Sequence, residues 1–179
     1  MTDPNNTSAV VPVVETPRLL MRGHRVSDLE QSAAMWSDPV VTRHIGGRPF
    51  AREECWWRLL RHIGHWSAMG FGYWLVEEKN SGRFVGEVGF ADLKRDLEPS
   101  IEGMPEAGWV LARWSHGRGF ATEAVRAALD WGAGHFGQQQ TVCLIDTGNR
   151  PSIRVAEKCG YQHWVNSEYK DGPVALFRR

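Results

Sequence analysis

The chain has 179 residues, 42% of them hydrophobic, which is enough for one well-buried core and most simply a single domain. Lys plus Arg equals Asp plus Glu at 21 each, so the formal net charge is zero and a general nucleic-acid or acidic-membrane surface is not expected. Three cysteines without a C-x-x-C pair, and no signal peptide or long apolar span, favour a soluble cytoplasmic protein with core-filling thiols.

The N-terminal segment is polar and rich in turn-forming residues at its start. This composition predicts a flexible arm over residues 1–14, followed by a single domain over residues 15–179. Ordered structure is expected to begin near Thr16.

The apolar residues that follow alternate between the two-residue period of strands and the 3.6-residue period of helices. Seven segments are predicted as strands, in chain order Leu19–His24, Gly72–Lys79, Arg83–Ala91, Glu106–Arg113, Thr141–Asp146, Tyr161–Tyr169 and Pro173–Phe177. Four are predicted as helices, in chain order Leu29–Trp36, Ala51–Ala68, Ala121–Phe136 and Pro151–Cys159. This order predicts a mixed α/β domain with one central sheet, in which the second to fourth strands form an antiparallel meander.

Turn signals separate these segments. Asn80-Ser81-Gly82 predicts a hairpin between the second and third strands, and Asp171-Gly172 predicts one between the last two. The connection Asp92–Pro105 is long enough to be mobile or to face a substrate. His62 and His65 lie three residues apart on a helix, but no third ligand is evident, so packing or surface roles are favoured and no metal is expected.

The most informative stretch is Arg113–Ala124, which lies between a strand and a helix. Gly117 and Gly119 let the backbone take up positive φ, so that successive N–H groups and the helix N-terminus converge on an anion such as a phosphate. A tight structural turn explains the two glycines equally well. No Walker loop occurs in the chain, and Thr122 stands where a dinucleotide fingerprint needs a third small residue.

Longer motifs around this stretch resemble the GNAT superfamily of N-acetyltransferases. Gly117–Ala124 reads Gly-Arg-Gly-Phe-Ala-Thr-Glu-Ala, and Asn149–Tyr161 contains Asn-x-x-Ser followed by Glu-Lys-Cys-Gly-Tyr. These runs, together with Thr16–Leu19, Gly70–Trp74 and Val85–Gly89, resemble the branch that contains the ribosomal-protein N-terminal-alanine acetyltransferases. The resemblance covers residues 15–179, and it departs from the superfamily pattern at Trp114, where Gln or Arg is usual.

The resemblance implies an α/β (α+β) fold with a mostly antiparallel twisted sheet of about seven strands, splayed between the fourth and fifth strands and flanked by about four helices. It implies acetyl-CoA as co-substrate, with pantetheine along the fourth strand at Val110, Leu111 and Ala112. Its pyrophosphate would lie on the loop formed by Ser115, His116, Gly117, Arg118, Gly119, Phe120, Ala121 and Thr122. Asn149 and Ser152 match positions that contact the pantetheine arm and its thiol end.

Acetyl transfer to an amine needs a polarised thioester, a neutral nucleophile and a path for the leaving sulfur. We expect the amide of Val110 to meet the thioester oxygen and Ser152 to donate to the sulfur, because the Tyr that other branches use falls at Ala156. Capping roles would also explain Asn149 and Ser152.

Two carboxylates are candidates for the general base. Glu87 lies between Gly86 and Gly89, whose missing side chains would leave space for a substrate, and Glu106 begins the strand that leads to the loop. Glu87 as a buried partner of an arginine and Glu106 as a charge at a strand edge are the structural alternatives.

The predicted function is therefore transfer of an acetyl group from acetyl-CoA to a primary amine by direct attack in a ternary complex. The acceptor would be a protein N-terminal α-amine or a small-molecule amine. The alternative is a non-catalytic acyl-CoA-binding or interaction module. No nucleic acid or membrane partner is expected, and the protein would be a monomer or a homodimer.

Overall fold

The computed structural model describes residues 10–170 and 172–179. Among them eight strands form one sheet: β1 (Val14–Glu15), β2 (Leu19–Arg22), β3 (Tyr73–Glu78), β4 (Phe84–Ala91), β5 (Glu106–Leu111), β6 (Val142–Asp146), β7 (Gln162–Tyr169) and β8 (Gly172–Arg178). The helices are α1 (Leu29–Trp36), α2 (Pro39–Thr42), α3 (Arg52–Met69), α4 (Phe120–Phe136) and α5 (Arg150–Lys158). The seven strands and four helices expected from periodicity are all present, with ends shifted by at most two residues.

Two short elements were not predicted. β1 has two residues and α2 has four, so neither is long enough to show a period. β1 pairs with β2, and just before it the indole Nε1 of Trp74 donates to the carbonyl oxygen of Pro12. The described chain is thus attached to the sheet a few residues before Thr16. Residues 1–9 of the predicted arm lie outside the described residues.

The sheet has the order β1-β2-β3-β4-β5-β6-β8-β7 and is antiparallel except between β5 and β6. Those two parallel strands share a single paired position, Glu106 with Val142, whereas β4 and β5 pair over six positions. The strands therefore diverge toward their carboxyl ends. The splay predicted between Glu106–Arg113 and Thr141–Asp146 is confirmed.

Each face of the sheet packs against a different set of helices. The apolar stripe of α4 covers one face and joins the largest cluster of buried side chains, which includes Trp74, Phe90 and Phe120. On the other face, Met35 and Trp36 of α1 pack with Cys55 of α3. All three cysteines are buried, as expected. Among the described residues, no helix has both the length and the apolar character needed to cross a bilayer.

The connection between β4 and β5 is anchored in the core. Leu97 and Ile101 are buried beside Val142 of β6 and Leu176 of β8. Apolar burial of this kind holds a loop in place, so its packing does not support the expectation of a mobile loop. The hairpin at Asn80-Ser81-Gly82 forms as predicted, with Gly82 at φ +66. The turn before β8 includes Asp171, which lies outside the described residues.

Candidate active site

The fold brings the two segments predicted to bind the cofactor, the glycine loop and the Asn149 motif, to the same end of two neighbouring strands. β5 and β6 run parallel, so their carboxyl ends point the same way. The glycine loop follows β5, and Asn149 follows β6. In α/β sheets a crevice outside the carboxyl ends of neighbouring parallel strands is a common ligand site. The divergence of the two strands opens such a crevice here.

The glycine loop has the geometry expected of an anion site. Gly117 and Gly119 lie at φ +73 and φ +79, in the left-handed region that glycine favours. The first helical bond there runs from the Glu123 amide to the Gly119 carbonyl. Within the described residues no hydrogen bond takes up the amides from Gly117 to Thr122. These N–H groups and the positive end of the α4 dipole therefore remain available to a pyrophosphate.

Ser115 and His116 take part in this loop differently from the prediction. The hydroxyl of Ser115 donates to the Ala112 carbonyl at 2.7 Å, and its own amide is bonded to the same oxygen at 2.9 Å. The ring Nε2 of His116 lies 2.8 Å from the Leu111 carbonyl oxygen, so this nitrogen must carry the proton. Both side chains therefore shape the loop, and neither is free to contact phosphate in this arrangement.

Trp114 replaces a polar side chain with a structural anchor. Its indole Nε1 donates to the Phe84 carbonyl at 2.9 Å, and its ring packs on Phe120. The guanidinium groups of Arg83 and Arg118 lie 4.1 Å and 5.2 Å from ring centroids of Trp114. The departure from Gln or Arg therefore ties the loop to β4 and leaves the backbone amides of the loop unobstructed.

The loop is also held by the Thr-Pro-Arg-Leu run near the N-terminus. The Arg18 guanidinium donates to the Glu123 carboxylate at 2.6 Å and to the Arg118 carbonyl at 3.0 Å. Thr16 donates its hydroxyl to the same carboxylate at 2.6 Å. Burial opposes ionisation of Glu123, but the bonds from Thr16 and Arg18 outweigh it and lower its pKa. The two motifs are about one hundred residues apart in the chain, so the sequence alone does not reveal that they are in contact.

The free edge of β5 determines which amides face the opening. The Ala112 amide donates to the Val85 carbonyl on β4, and the Val142 amide on β6 donates to the Pro105 carbonyl. Because backbone groups alternate in direction along a strand, even-numbered residues of β5 bond to β4 and odd-numbered ones face β6. The predicted use of the Val110 amide for the thioester oxygen is therefore wrong. The amides of Trp109 and Leu111 face the opening.

Asn149 and Ser152 occupy the start of α5. The side-chain oxygen of Asn149 accepts a hydrogen bond from the Ser152 amide at 3.2 Å, so the capping role considered for Asn149 is present. Its amide NH₂ keeps two donors for a ligand. Within the described residues the Ser152 hydroxyl has no hydrogen-bond partner, so it is free to donate. Ala156, which stands where other branches have Tyr, is fully buried.

Glu87 is enclosed by hydrogen-bond donors. Its carboxylate accepts from the Ser32 hydroxyl at 2.6 Å and the Trp36 indole at 3.1 Å, and lies 3.3 Å and 3.8 Å from Nε2 of His62 and His24. Its side chain is 1% exposed. Burial opposes ionisation, but the two histidines beside the carboxylate outweigh it and hold the pKa of Glu87 well below its ordinary range. Two imidazoles therefore lie beside the buried carboxylate where the structural alternative had an arginine.

The glycines around Glu87 do not leave room for a substrate. A Cβ at Gly86 would lie 2.2 Å from the Val110 carbonyl oxygen, and one at Gly89 would lie 2.2 Å from that of Gly72. Both glycines therefore let neighbouring backbones approach. The space inferred from the missing side chains was a wrong interpretation, and α1 and α3 cover the carboxylate itself.

Glu106 is committed to an ion pair. Its two oxygens accept from Nε and Nη2 of Arg95 at 2.6 Å and 2.7 Å, a two-bond arrangement, and its side chain is 8% exposed. The charge that the structural alternative placed at the strand edge, that of Glu106, is therefore paired with Arg95. In this arrangement neither Glu87 nor Glu106 is free to accept a proton from a bound amine.

Acid is expected to destabilise the fold between about pH 6.5 and pH 4. Burial lowers the pKa of His62 to about 4, against 6.5 for an unperturbed imidazole, although the bond to Glu87 opposes this. Between these two pH values the unfolded chain binds a proton that the folded chain does not. The free energy of unfolding therefore decreases by about 3 kcal/mol as the pH is lowered from 6.5 to 4. Thermal unfolding measured from pH 7.5 to pH 4 tests this.

The matched variant is His62→Gln, which keeps an N–H donor for Glu87 but does not titrate. The slope of melting temperature against pH should become shallower in this variant. An identical slope in both proteins would assign the acid sensitivity to other groups. Glu87 contributes its own loss only at lower pH, because its pKa lies well below the ordinary range.

The remaining histidine of the predicted pair has a separate role. Nε2 of His65 accepts from the Asp92 amide, so Nδ1 carries the proton and donates to the Phe71 carbonyl. His62 instead faces Glu87. The two histidines therefore do not share a site, in keeping with the packing roles favoured for them.

Comparison with known proteins identifies the family. A profile of the Acetyltransferase (GNAT) domain matches residues 18–162. The chain belongs to the GNAT acetyltransferase family. It is 31% identical over 148 residues to the uncharacterized protein YkkB of Bacillus subtilis, a match that spans 81% of each chain. The superfamily and the acyltransferase class inferred from the motifs are confirmed.

Solved structures share the whole fold. A structure from Bordetella pertussis assigned to the GnaT family of acetyltransferases has a TM-score of 0.82 at 30% identity, covering 94% of this chain and 99% of the other. RimL, the ribosomal L7/L12 alpha-N-protein acetyltransferase in complex with coenzyme A, has a TM-score of 0.75 at 15% identity, covering 94% and 97%. At that identity the likeness to RimL is one of fold. The mixed α/β GNAT fold predicted from the sequence is confirmed.

Proposed function

We propose that this GNAT protein transfers an acetyl group from acetyl-CoA to a primary amine by direct attack in a ternary complex. The observation that carries the proposal is the loop after β5, whose amides from Gly117 to Thr122 are free at the N-terminus of α4. Ser152 lies in the first turn of α5, which follows β6, the strand beside the open edge of β5. The loop amides suit the pyrophosphate, the open edge of β5 suits the pantetheine arm, and the Ser152 hydroxyl suits the thioester.

The residues would divide the work as follows. Gly117–Thr122 bind the pyrophosphate, and the amides of Trp109 and Leu111 pair with the extended pantetheine as a strand would. Acetyl-CoA supplies an activated acetyl group as a thioester. One of the two outward amides of β5 polarises its carbonyl, which favours attack by the amine. Asn149 holds the arm and Ser152 donates to the departing sulfur.

The acceptor is proposed as a primary amine. Deprotonating a lysine side chain at pH 7 costs about 4 to 5 kcal/mol, whereas deprotonating an N-terminal α-amine costs about 1 kcal/mol. An α-amine therefore reacts with less help from a base. The motifs shared with ribosomal-protein acetyltransferases, and the fold shared with RimL, add weight to a protein N-terminus, with a small-molecule amine as the other candidate.

The test is release of free thiol from acetyl-CoA across a panel of amines: peptides with free N-termini, a polyamine and an aminoglycoside. The proposal expects turnover with at least one of them, with a 42 Da increase in the mass of the acceptor. Tight binding of acetyl-CoA with no turnover on any amine would favour the alternative, a non-catalytic acyl-CoA-binding module.

Ser152→Ala is expected to lower kcat by about tenfold to a hundredfold while the Kd for acetyl-CoA changes less than twofold. The physical reason is that the hydroxyl would stabilise the thiolate only as the carbon–sulfur bond breaks. The capping bond that the Ser152 amide makes with Asn149 is unaffected, because it uses the backbone. An unchanged kcat would leave Ser152 with a structural role only, and Ser67→Ala, at an exposed serine on α3, is the matched surface control.

A further inference from the structure

The segment between α2 and α3, in which the sequence revealed no chemistry, contains a histidine beside a carboxylate. His44 lies two residues after α2, and its turn is fixed by bonds from the Ile45 and Gly47 amides to the Thr42 carbonyl. Nδ1 of His44 lies 3.3 Å from Oδ1 of Asp146. The side chains are 28% and 39% exposed, so the pair is open to solvent and to a ligand.

Asp146 is the last residue of β6 and is itself held in place. Its Oδ1 accepts from the Gly148 amide at 2.7 Å, and its carbonyl accepts from the Asn149 amide at 2.9 Å. The His44 ring lies against this turn, since a Cβ at Gly148 would be 3.6 Å from its Cε1. His44 is therefore next to the residue that precedes Asn149, at the carboxyl end of β6.

This contact puts an imidazole at the carboxyl end of β6, the end at which β5 and β6 have diverged. Because Nδ1 faces Asp146, Nε2 is on the opposite edge of the ring and faces away from it. A carboxylate 3.3 Å from Nδ1 favours the tautomer that carries its proton on Nδ1 and leaves the lone pair of Nε2 exposed. Neither Glu87 nor Glu106 offers such a free face. Within the described residues Asp146 is the charged group in contact with the His44 ring.

We propose that His44 is the general base of the acetyl transfer, with Asp146 as its positioning residue. The inference rests on the proposed function. Nε2 of His44 takes a proton from the amine while the amine nitrogen forms its bond to the acetyl carbon. The carbon–sulfur bond breaks, the electron pair leaves with the sulfur of coenzyme A, and Ser152 donates a hydrogen bond to it. His44 then returns its proton to solvent.

The alternative is a purely structural role, in which the pair holds the loop on β6 and contributes about 0 to 1 kcal/mol to the free energy of unfolding. A structural pair and a base differ in one measurable respect. If His44 acts as a base, a small diffusible base can replace it once its ring is removed. If it only ties the loop, added imidazole restores nothing.

The experiment uses the panel amine that gives the highest rate with the wild-type protein. His44→Ala and His44→Gln are expected to lower kcat about a hundredfold, within the usual range for loss of a general base, with the Kd for acetyl-CoA unchanged. Added imidazole should restore His44→Ala at least tenfold but not His44→Gln, which leaves no cavity. Asp146→Asn is expected to lower kcat by a smaller factor, because the base remains but its orientation is lost.

His163→Gln, a change at an exposed histidine on β7, is the matched control and should retain the wild-type rate. The inference is overturned if both His44 variants keep kcat within twofold, or if imidazole fails to restore His44→Ala while its cofactor affinity and fold are intact. If His44→Ala does not fold, the kcat values of His44→Gln and Asp146→Asn decide whether the inference stands. Absence of turnover in the wild-type protein itself would instead count against the proposed function.

Discussion

Gly117→Glu is expected to weaken acetyl-CoA binding about a hundredfold. A carboxylate at this position would lie beside the free amides of the loop, where the pyrophosphate is proposed to bind. Two like charges about 5 Å apart at an effective dielectric constant of about 20 repel by about 3 kcal/mol, which corresponds to that factor in Kd. Nothing lies within 4 Å of a Cβ built at Gly117, so the side chain can be accommodated sterically. Calorimetric titration with acetyl-CoA provides the measurement.

Gly117→Gln is the matched control for the strain of a side chain at positive φ. Glutamine has the same size and the same backbone cost, about 1 to 2 kcal/mol, but no charge. The glutamate variant should bind acetyl-CoA much more weakly than the glutamine variant, and the difference should shrink at high salt. Equal affinities in the two variants would remove the pyrophosphate from this loop.

Glu87→Ala is expected to lower the free energy of unfolding by about 3 to 5 kcal/mol. The substitution leaves the Ser32 hydroxyl and the Trp36 indole without their acceptor in the core, at about 1 to 3 kcal/mol for each donor that finds no other partner, and it removes the carboxylate beside two imidazoles. For a chain of this length such a loss corresponds to a melting temperature lower by about 10 °C. Thermal and urea unfolding provide two independent measurements.

Glu30→Ala serves as the control for loss of a carboxylate. The Glu30 side chain is 74% exposed and pairs with Arg52 on the surface, so its removal should cost less than about 1 kcal/mol. If Glu87→Ala melts within 1 °C of the wild type, the buried network is not a source of stability.

Much of the fold could be predicted because it is written in local patterns. The apolar stripe of α4 spans several turns, β3 and β4 are mostly apolar runs between turn signals, and Gly70 ends α3 at φ +73. β1 and α2 are too short to carry such a signal. The two glycines, read with the downstream Asn149 motif, predicted a left-handed turn before α4, which the structure contains, and its binding of the donor stays a prediction.

The rest of the site depends on contacts that no local pattern reveals. The direction of the Val110 amide follows from the register of β4 on β5, which the close approach at Gly86 helps to set. The environment of Glu87 comes from β4, α1, α3 and the segment after β2, so its partners could not be read from its neighbours in the chain. His44 and Asp146 are separated by about one hundred residues, and only the folded chain brings them together.

The divergence of β5 from β6 also bears on solubility. Most sheets carry their unpaired strand edges at the outside, where they invite pairing with other chains, and here the two outer strands are β1, with two residues, and β7, with eight. A further unpaired edge, that of β5, lies at the centre of the sheet, inside a wedge that β6 closes at one end. A second protein strand would need both neighbours to run alongside it at regular spacing. A thin, flexible ligand does not, so this opening suits the proposed donor better than it suits a strand of another protein.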